Sequence, residues 1–224
     1  MATDSDTHSV DLVPGTVVRP FARAALLAAL TGVAAQIAIP IPVSPVPVTL
    51  QVLIVFLAGL YLGPIWGPVS MGLYLGAGAA GAPVFANANA GLGILMGQSA
   101  GFLWSYPIAA GLIGLLVHRV GWDWIPASDS SAGPIHAHSD DSSVLATAAA
   151  ELRDPASVPI PAVVLSLLVG VVVIYGGGVA YAMWLLELGV GDALAGFAVP
   201  FVPGELLKIA AAVAIVQSGL IDPT

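Results

Sequence analysis

Residues 24–118 contain no Asp, Glu, Lys or Arg, and residues 155–186 contain none either. A helix at the surface of a water-soluble domain needs a polar face, and these stretches offer none. Lipid asks for such runs: its hydrocarbon layer is about 30 Å thick, so a helix rising 1.5 Å per residue needs about 20 apolar residues to cross it. Gly and Pro breakers divide the apolar stretches into six predicted helices, at about Phe21–Ile39, Thr49–Leu62, Ile65–Ala80, Gly97–Val117, Pro161–Leu186 and Gly204–Ile221. Gly63-Pro64 separates the second from the third, and both are short for a straight span. Segments Pro40–Pro47 and Gly81–Gly97 are apolar but broken by Pro or Gly. Non-helical backbone at membrane depth must be buried in protein or line a cavity, so both are expected to fold back over the bundle. The expected fold class is an all-α integral membrane protein with six transmembrane helices.

The polar positions are segregated. Asp4, Asp6 and Asp11 lie in an N-terminal tail, residues 1–18, expected to be disordered. The tail has no basic stretch ahead of an apolar core, so it is not expected to be a secretory signal. Asp123, Asp129, Asp140, Asp141, Glu151 and Asp154 lie in one Ser/Asp/Ala/Pro-rich loop, about 121–158, expected to be a flexible interruption of a single membrane domain spanning 19–224. With six spans, Arg19, Arg23, Arg119 and Arg153 all fall on one side. Lys and Arg collect on the cytoplasmic side of membrane proteins, so both termini and the acidic loop are expected there, in the cell membrane.

Composition narrows the function classes. Charged residues make up 8% of the chain and hydrophobic ones 58%, with a mean hydropathy of +0.98. A soluble domain carries about 25% charged residues, so an ordinary soluble enzyme is excluded. A net charge of −8 offers no footprint for nucleic acid. There is no Cys for disulfides or thiol chemistry. His8, His136 and His138 fall in tail or loop and His118 at a helix end, so no metal site is expected. No Gly-x-x-x-x-Gly-Lys-Ser/Thr loop is present, so ATP hydrolysis is not expected of this chain.

A few residues are out of place in lipid. Glu205 and Lys208 open the last predicted helix, three apart and therefore on one face. Buried ionisable groups inside a membrane bundle face each other or a watery cavity. A structural ion pair would account for them; a polar clamp on a small ligand is preferred, because the pair lies beside both folded-back segments. Thr49 is expected to cap the second helix, while a buried Gln51 amide needs several partners; Gln36 is a weaker candidate of the same kind. Asn87 and Asn89 are turn residues or ligand contacts. Tyr74, Phe85, Trp104 and Tyr106 are candidates for an aromatic wall. Ala25, Ala28, Ala29, Gly32 and Ala35 give the first helix a flat face suited to close helix packing or to docking of another membrane protein.

Several segments together resemble the BioY family: Ile39-Pro-Ile-Pro-Val-Ser-Pro-Val-Pro-Val-Thr-Leu-Gln51, Leu57-Ala-Gly-Leu-Tyr-Leu-Gly63, Tyr74-Leu-Gly-Ala-Gly-Ala-Ala-Gly-Ala-Pro-Val-Phe85, Gly101-Phe102 and Pro200-Phe-Val-Pro-Gly-Glu-Leu-Leu-Lys208. The resemblance covers most of the chain outside the tail and the acidic loop. It implies the six-helix S-component bundle of energy-coupling factor (ECF) transporters, biotin as substrate with no cofactor, and no enzymatic activity. It also implies docking through Ala25, Ala29 and Gly32 on a transmembrane coupling protein that works with two cytosolic ATPases. The expected substrate-binding residues are Glu205, Lys208, Asn87, Asn89, Thr49, Gln51 and Tyr74. Glu205 stands where the family usually has Asp, and either Asn87 or Asn89 would match the family's ligand-contacting Asn. An S component for another vitamin, a solitary transporter and an intramembrane enzyme are the alternatives.

Overall fold

The computed structural model describes residues 15–120 and 152–219. Most of the acidic tail and of the acidic loop therefore lies outside the described residues. Residues 15–18, expected in the tail, are helical: α1 runs Gly15–Gln36. A two-stranded antiparallel ladder follows, β1 (Ala38–Ile39) with β2 (Val48–Thr49), its register pairing Ala38 with Thr49 and Ile39 with Val48. So α1 stops short of the expected Ile39, and the Pro-rich segment forms the loop of a hairpin. Helix α2 (Gln51–Ala79) is followed by two 3-10 turns, Ala86–Ala88 and Ile94–Met96, and by α3 (Ala100–Arg119). After the undescribed segment come a 3-10 turn at Pro155–Ser157, α4 (Ile160–Leu186), the short α5 (Val190–Phe197), a 3-10 turn at Val199–Phe201 and α6 (Val202–Ser218).

Among the described residues, five helical runs are long and apolar enough to cross a membrane: Val17–Gln36, Gln51–Ala79, Ala100–Arg119, Ile160–Leu186 and Val190–Ser218. That differs from the six spans expected, because the second and third predicted helices form one run. The run is not a rod. Gly63 has φ 73° and ψ −168°, a conformation essentially reserved for glycine, and Pro64 supplies no amide to continue the ladder. A straight helix would separate Gln51 from Tyr74, 23 residues apart, by about 35 Å. Instead the Gln51 amide donates to the Tyr74 hydroxyl at 2.5 Å. The two arms fold back on each other at Gly63. The turn lies so close to α3 that a Cβ on Gly114 would come within 3 Å of the Gly63–Pro64 backbone.

Tyr74, Phe56, Phe85, Leu60, Met71, Ile113, Leu167 and Ile174 are among the largest fully buried side chains of the bundle. Side-chain oxygens stitch polar positions into it: Ser70 donates to the Ala24 carbonyl across α2 and α1 at 2.8 Å. His118 shares a hydrogen bond with the Leu60 carbonyl at 2.9 Å, the acceptor that the amide missing from Pro64 would otherwise have served. Exposed Leu26, Leu30 and Val33 on α1, Val172 and Trp184 on α4 and Leu206 and Leu207 on α6 leave the outer surface apolar, as lipid contact requires.

The small residues of α1 divide between two faces. Ala24, Ala28 and Ala35 are buried in the bundle, and a Cβ on Gly32 would stand 3.1 Å from that of Val84. Ala25 is half-buried and Ala29 exposed.

Candidate functional site

A hollow of about 330 Å³ opens at the end of the bundle remote from the Gly63 turn. The Pro45–Pro47 loop, the start of α2, the 85–99 segment, the start of α3, the middle of α4 and the start of α6 all contribute to it. Its volume is at the lower end of the roughly 300–1,000 Å³ usual for small-ligand sites.

One wall is charged. Glu205 and Lys208 are 4% and 5% exposed, and the Lys208 ammonium donates to Glu205 Oε1 at 2.6 Å. The Tyr175 hydroxyl donates to the same oxygen at 2.8 Å. Glu205 Oε2 is buried and has no hydrogen-bond partner among the described residues. A buried polar atom of this kind costs free energy unless something outside the chain satisfies it. Glu205 sits in the first turn of α6, where the positive end of the helix dipole favours a carboxylate. Three rings back this wall: Phe102 and Tyr175 meet edge to face at 5.4 Å, and Phe201 lies 5.8 Å from Tyr175.

The facing wall is neutral. The Thr49 hydroxyl donates to Gln51 Oε1 at 2.8 Å, and the Gln51 amide donates on to Tyr74. Thr49 is not the expected helix cap; Leu50 holds that place, with no side-chain cap. Tyr74 does not line the hollow. It stands behind Gln51, edge-on to Phe85 at 5.6 Å, so its contribution to the wall is to hold those two in place. Asn87 and Asn89 both border the hollow. They flank Ala88, and the Asn89 side-chain amide donates to the Ala86 carbonyl at 2.8 Å.

Six of the seven expected substrate-binding residues thus meet at one hollow, Tyr74 being the exception. Of the expected aromatic wall, Phe85 and Tyr106 line it. Trp104 is 54% exposed, its indole donating to the Leu95 carbonyl at 3.0 Å on the outside of the bundle. Gln36 lies outside the lining. Tyr175, Phe201, Ile94, Gln98 and Ser99 also line the hollow and were not singled out from the sequence. Tyr175 offered no local signal, because its partner lies 30 residues away. No cluster of His, Asp and Glu suited to a metal occurs among the described residues.

The BioY family profile matches residues 6–220. A probable biotin transporter BioY of Pyrococcus horikoshii is 42% identical over 116 residues, covering 45% of this chain and 70% of that protein. A biotin transporter BioY of Thermotoga maritima is 40% identical over 102 residues, covering 46% of this chain and 59% of that protein. The crystal structure of an S component for biotin from an ECF-type ABC transporter superposes with a TM-score of 0.70, covering 92% of this chain and 93% of that one at 22% identity. At that identity the superposition speaks for the fold.

Proposed function

The chain belongs to the BioY family, and from that membership we propose that the hollow holds biotin and that the protein takes biotin up across the membrane as the substrate-binding S component of an ECF transporter. The observation that carries this reading is the buried Oε2 of Glu205, on the wall of the hollow and without a hydrogen-bond partner among the described residues.

The chemistry is complementary. Biotin presents two ureido N–H donors, a ureido carbonyl, an apolar bicycle with its side chain, and a carboxylate. Glu205 Oε2 accepts an N–H; a hydrogen bond to an ionised acceptor is about twice as strong as a neutral one. Lys208 uses one of its three donors on Glu205 and keeps others for a carbonyl or carboxylate. The Asn87 and Asn89 amides border the same space, and Phe85, Phe102 and Tyr106 supply apolar wall. Only a small number of placed polar groups in an apolar pocket is needed to fix orientation.

We read the α2 run as two crossings folded at Gly63, giving six in all. Arg19, Arg23, Arg119 and Arg153 belong to the end of the bundle opposite the hollow. The positive-inside rule then supports both termini in the cytoplasm and the hollow opening outward. In this reading the protein captures biotin from outside. It docks on a transmembrane coupling protein through the outward α1 face of Ala25 and Ala29, Gly32 being occupied by Val84, and two separate ATPases drive release. Biotin moves the cycle only by binding its orientations unequally.

The test is equilibrium binding to the purified protein across biotin, thiamine and riboflavin. Biotin alone is expected to bind tightly. Preference for either other vitamin would overturn the substrate while leaving the S-component reading in place.

A further inference from the structure

Residues Ala86–Asn89 form a tight turn with two successive left-handed residues, Asn87 at φ 59° and Ala88 at φ 56°. The flanking Phe85 and Asn89 pair as an antiparallel bridge, the Phe85 amide donating to the Asn89 carbonyl at 3.1 Å. Turns with positive φ at both central positions favour Asn-Gly. Here the second place is Ala88, whose Cβ disfavours that conformation. Both asparagines bordering the hollow thus hang on a turn that the local sequence does not favour.

One side chain on another element supports it. Gln36, the last residue of α1, reaches across with its amide. Its Oε1 accepts from the Ala88 backbone N–H at 2.9 Å, and its Nε2 donates to the Phe85 carbonyl at 3.2 Å and the Gly32 carbonyl at 2.9 Å. The amide therefore ties the turn's entry at Phe85 and its central Ala88 to α1, and the Gly32–Val84 approach holds the residue before Phe85 to the same helix.

We infer that Gln36 is a positioning residue for the binding site: without lining the hollow, it holds Ala88 in its strained conformation and so keeps Asn87 and Asn89 at the ligand. The inference rests on the biotin reading for its affinity readout. The geometry of the turn has its own readout in the hydrogen exchange of the Ala88 amide.

The experiment compares wild type, Gln36→Ala, Ala88→Gly and the double variant, each purified without biotin. Gln36→Ala is expected to weaken biotin binding roughly fivefold, the loss of about one hydrogen bond's net contribution, and to speed exchange at Ala88. Ala88→Gly alone should leave affinity within about twofold of wild type, because Gly accepts the conformation without help. In the double variant it should restore binding to that same range, a rescue that general damage to α1 would not allow. Ala88→Val in the intact background, adding a β-branched residue at positive φ, should weaken binding even if Gln36→Ala does not fold. Unchanged affinity in Gln36→Ala, or no rescue by Ala88→Gly, would overturn the inference. If wild type does not bind biotin at all, the substrate reading fails, while exchange at Ala88 still decides whether the clamp exists.

Discussion

The two polar walls of the hollow are built on opposite terms. The Thr49–Gln51–Tyr74 wall is neutral and passes its hydrogen bonds from one side chain to the next. The Glu205–Lys208–Tyr175 wall brings the Lys208 and Tyr175 hydrogen bonds to one carboxylate oxygen and leaves the other without a partner among the described residues. A network that satisfies itself sets shape; one that stops short awaits a donor from elsewhere. This contrast makes the charged wall the expected source of affinity and the neutral wall the expected source of fit.

Substitutions test that division, the largest effect first. Lys208→Ala should weaken biotin binding at least tenfold, about 1.4 kcal/mol or more, in titrations of folded, monodisperse protein. It removes a donor and leaves a buried carboxylate unpaired, so part of its effect will appear as a lower Tm. Glu205→Gln keeps an acceptor but loses the charge, and a loss of about fivefold is expected, in line with the difference between charged and neutral hydrogen bonds. Tyr175→Phe removes one hydrogen bond to Oε1 while retaining the ring packing, and a loss of about threefold is expected. Tyr74→Phe, on the neutral side and behind the lining, should change affinity by less than about twofold and instead reduce stability by about 1 kcal/mol. An inverted order, with Tyr74→Phe costing more affinity than Glu205→Gln, would reverse the roles of the walls.

Much of this arrangement was legible in the sequence, for physical reasons that differ by residue. Charge-free stretches revealed the membrane class because lipid tolerates no alternative. Glu205 and Lys208 stood out because two charges three residues apart in an oily helix need a reason. Gly63-Pro64 marked the fold in α2 through the same lack of Cβ and of amide that makes the turn possible. What escaped depended on distance or direction. Tyr175 lies within a charge-free helix and reaches Glu205 only in the folded bundle. Thr49 had the chemistry of a cap, but Gln51 Oε1 took its hydroxyl. Trp104 and Tyr106 are two apart on α3, so they point to different sides of the helix, one outward and one into the site. The short α5 lay in what read as a connection, and β1 and β2 are two residues each, too short for any periodicity.

The decisive measurement is a paired one on the double variant Glu205→Leu/Lys208→Met, followed by Tm and by biotin titration against wild type. Replacing both members of a buried ion pair with hydrophobic residues of similar volume is often harmless to folding or even stabilising. An unchanged or raised Tm is expected together with at least a thirtyfold weaker Kd for biotin, about 2 kcal/mol. A variant that loses stability but binds biotin as tightly as wild type would show that the pair only braces the bundle, and would contradict the account.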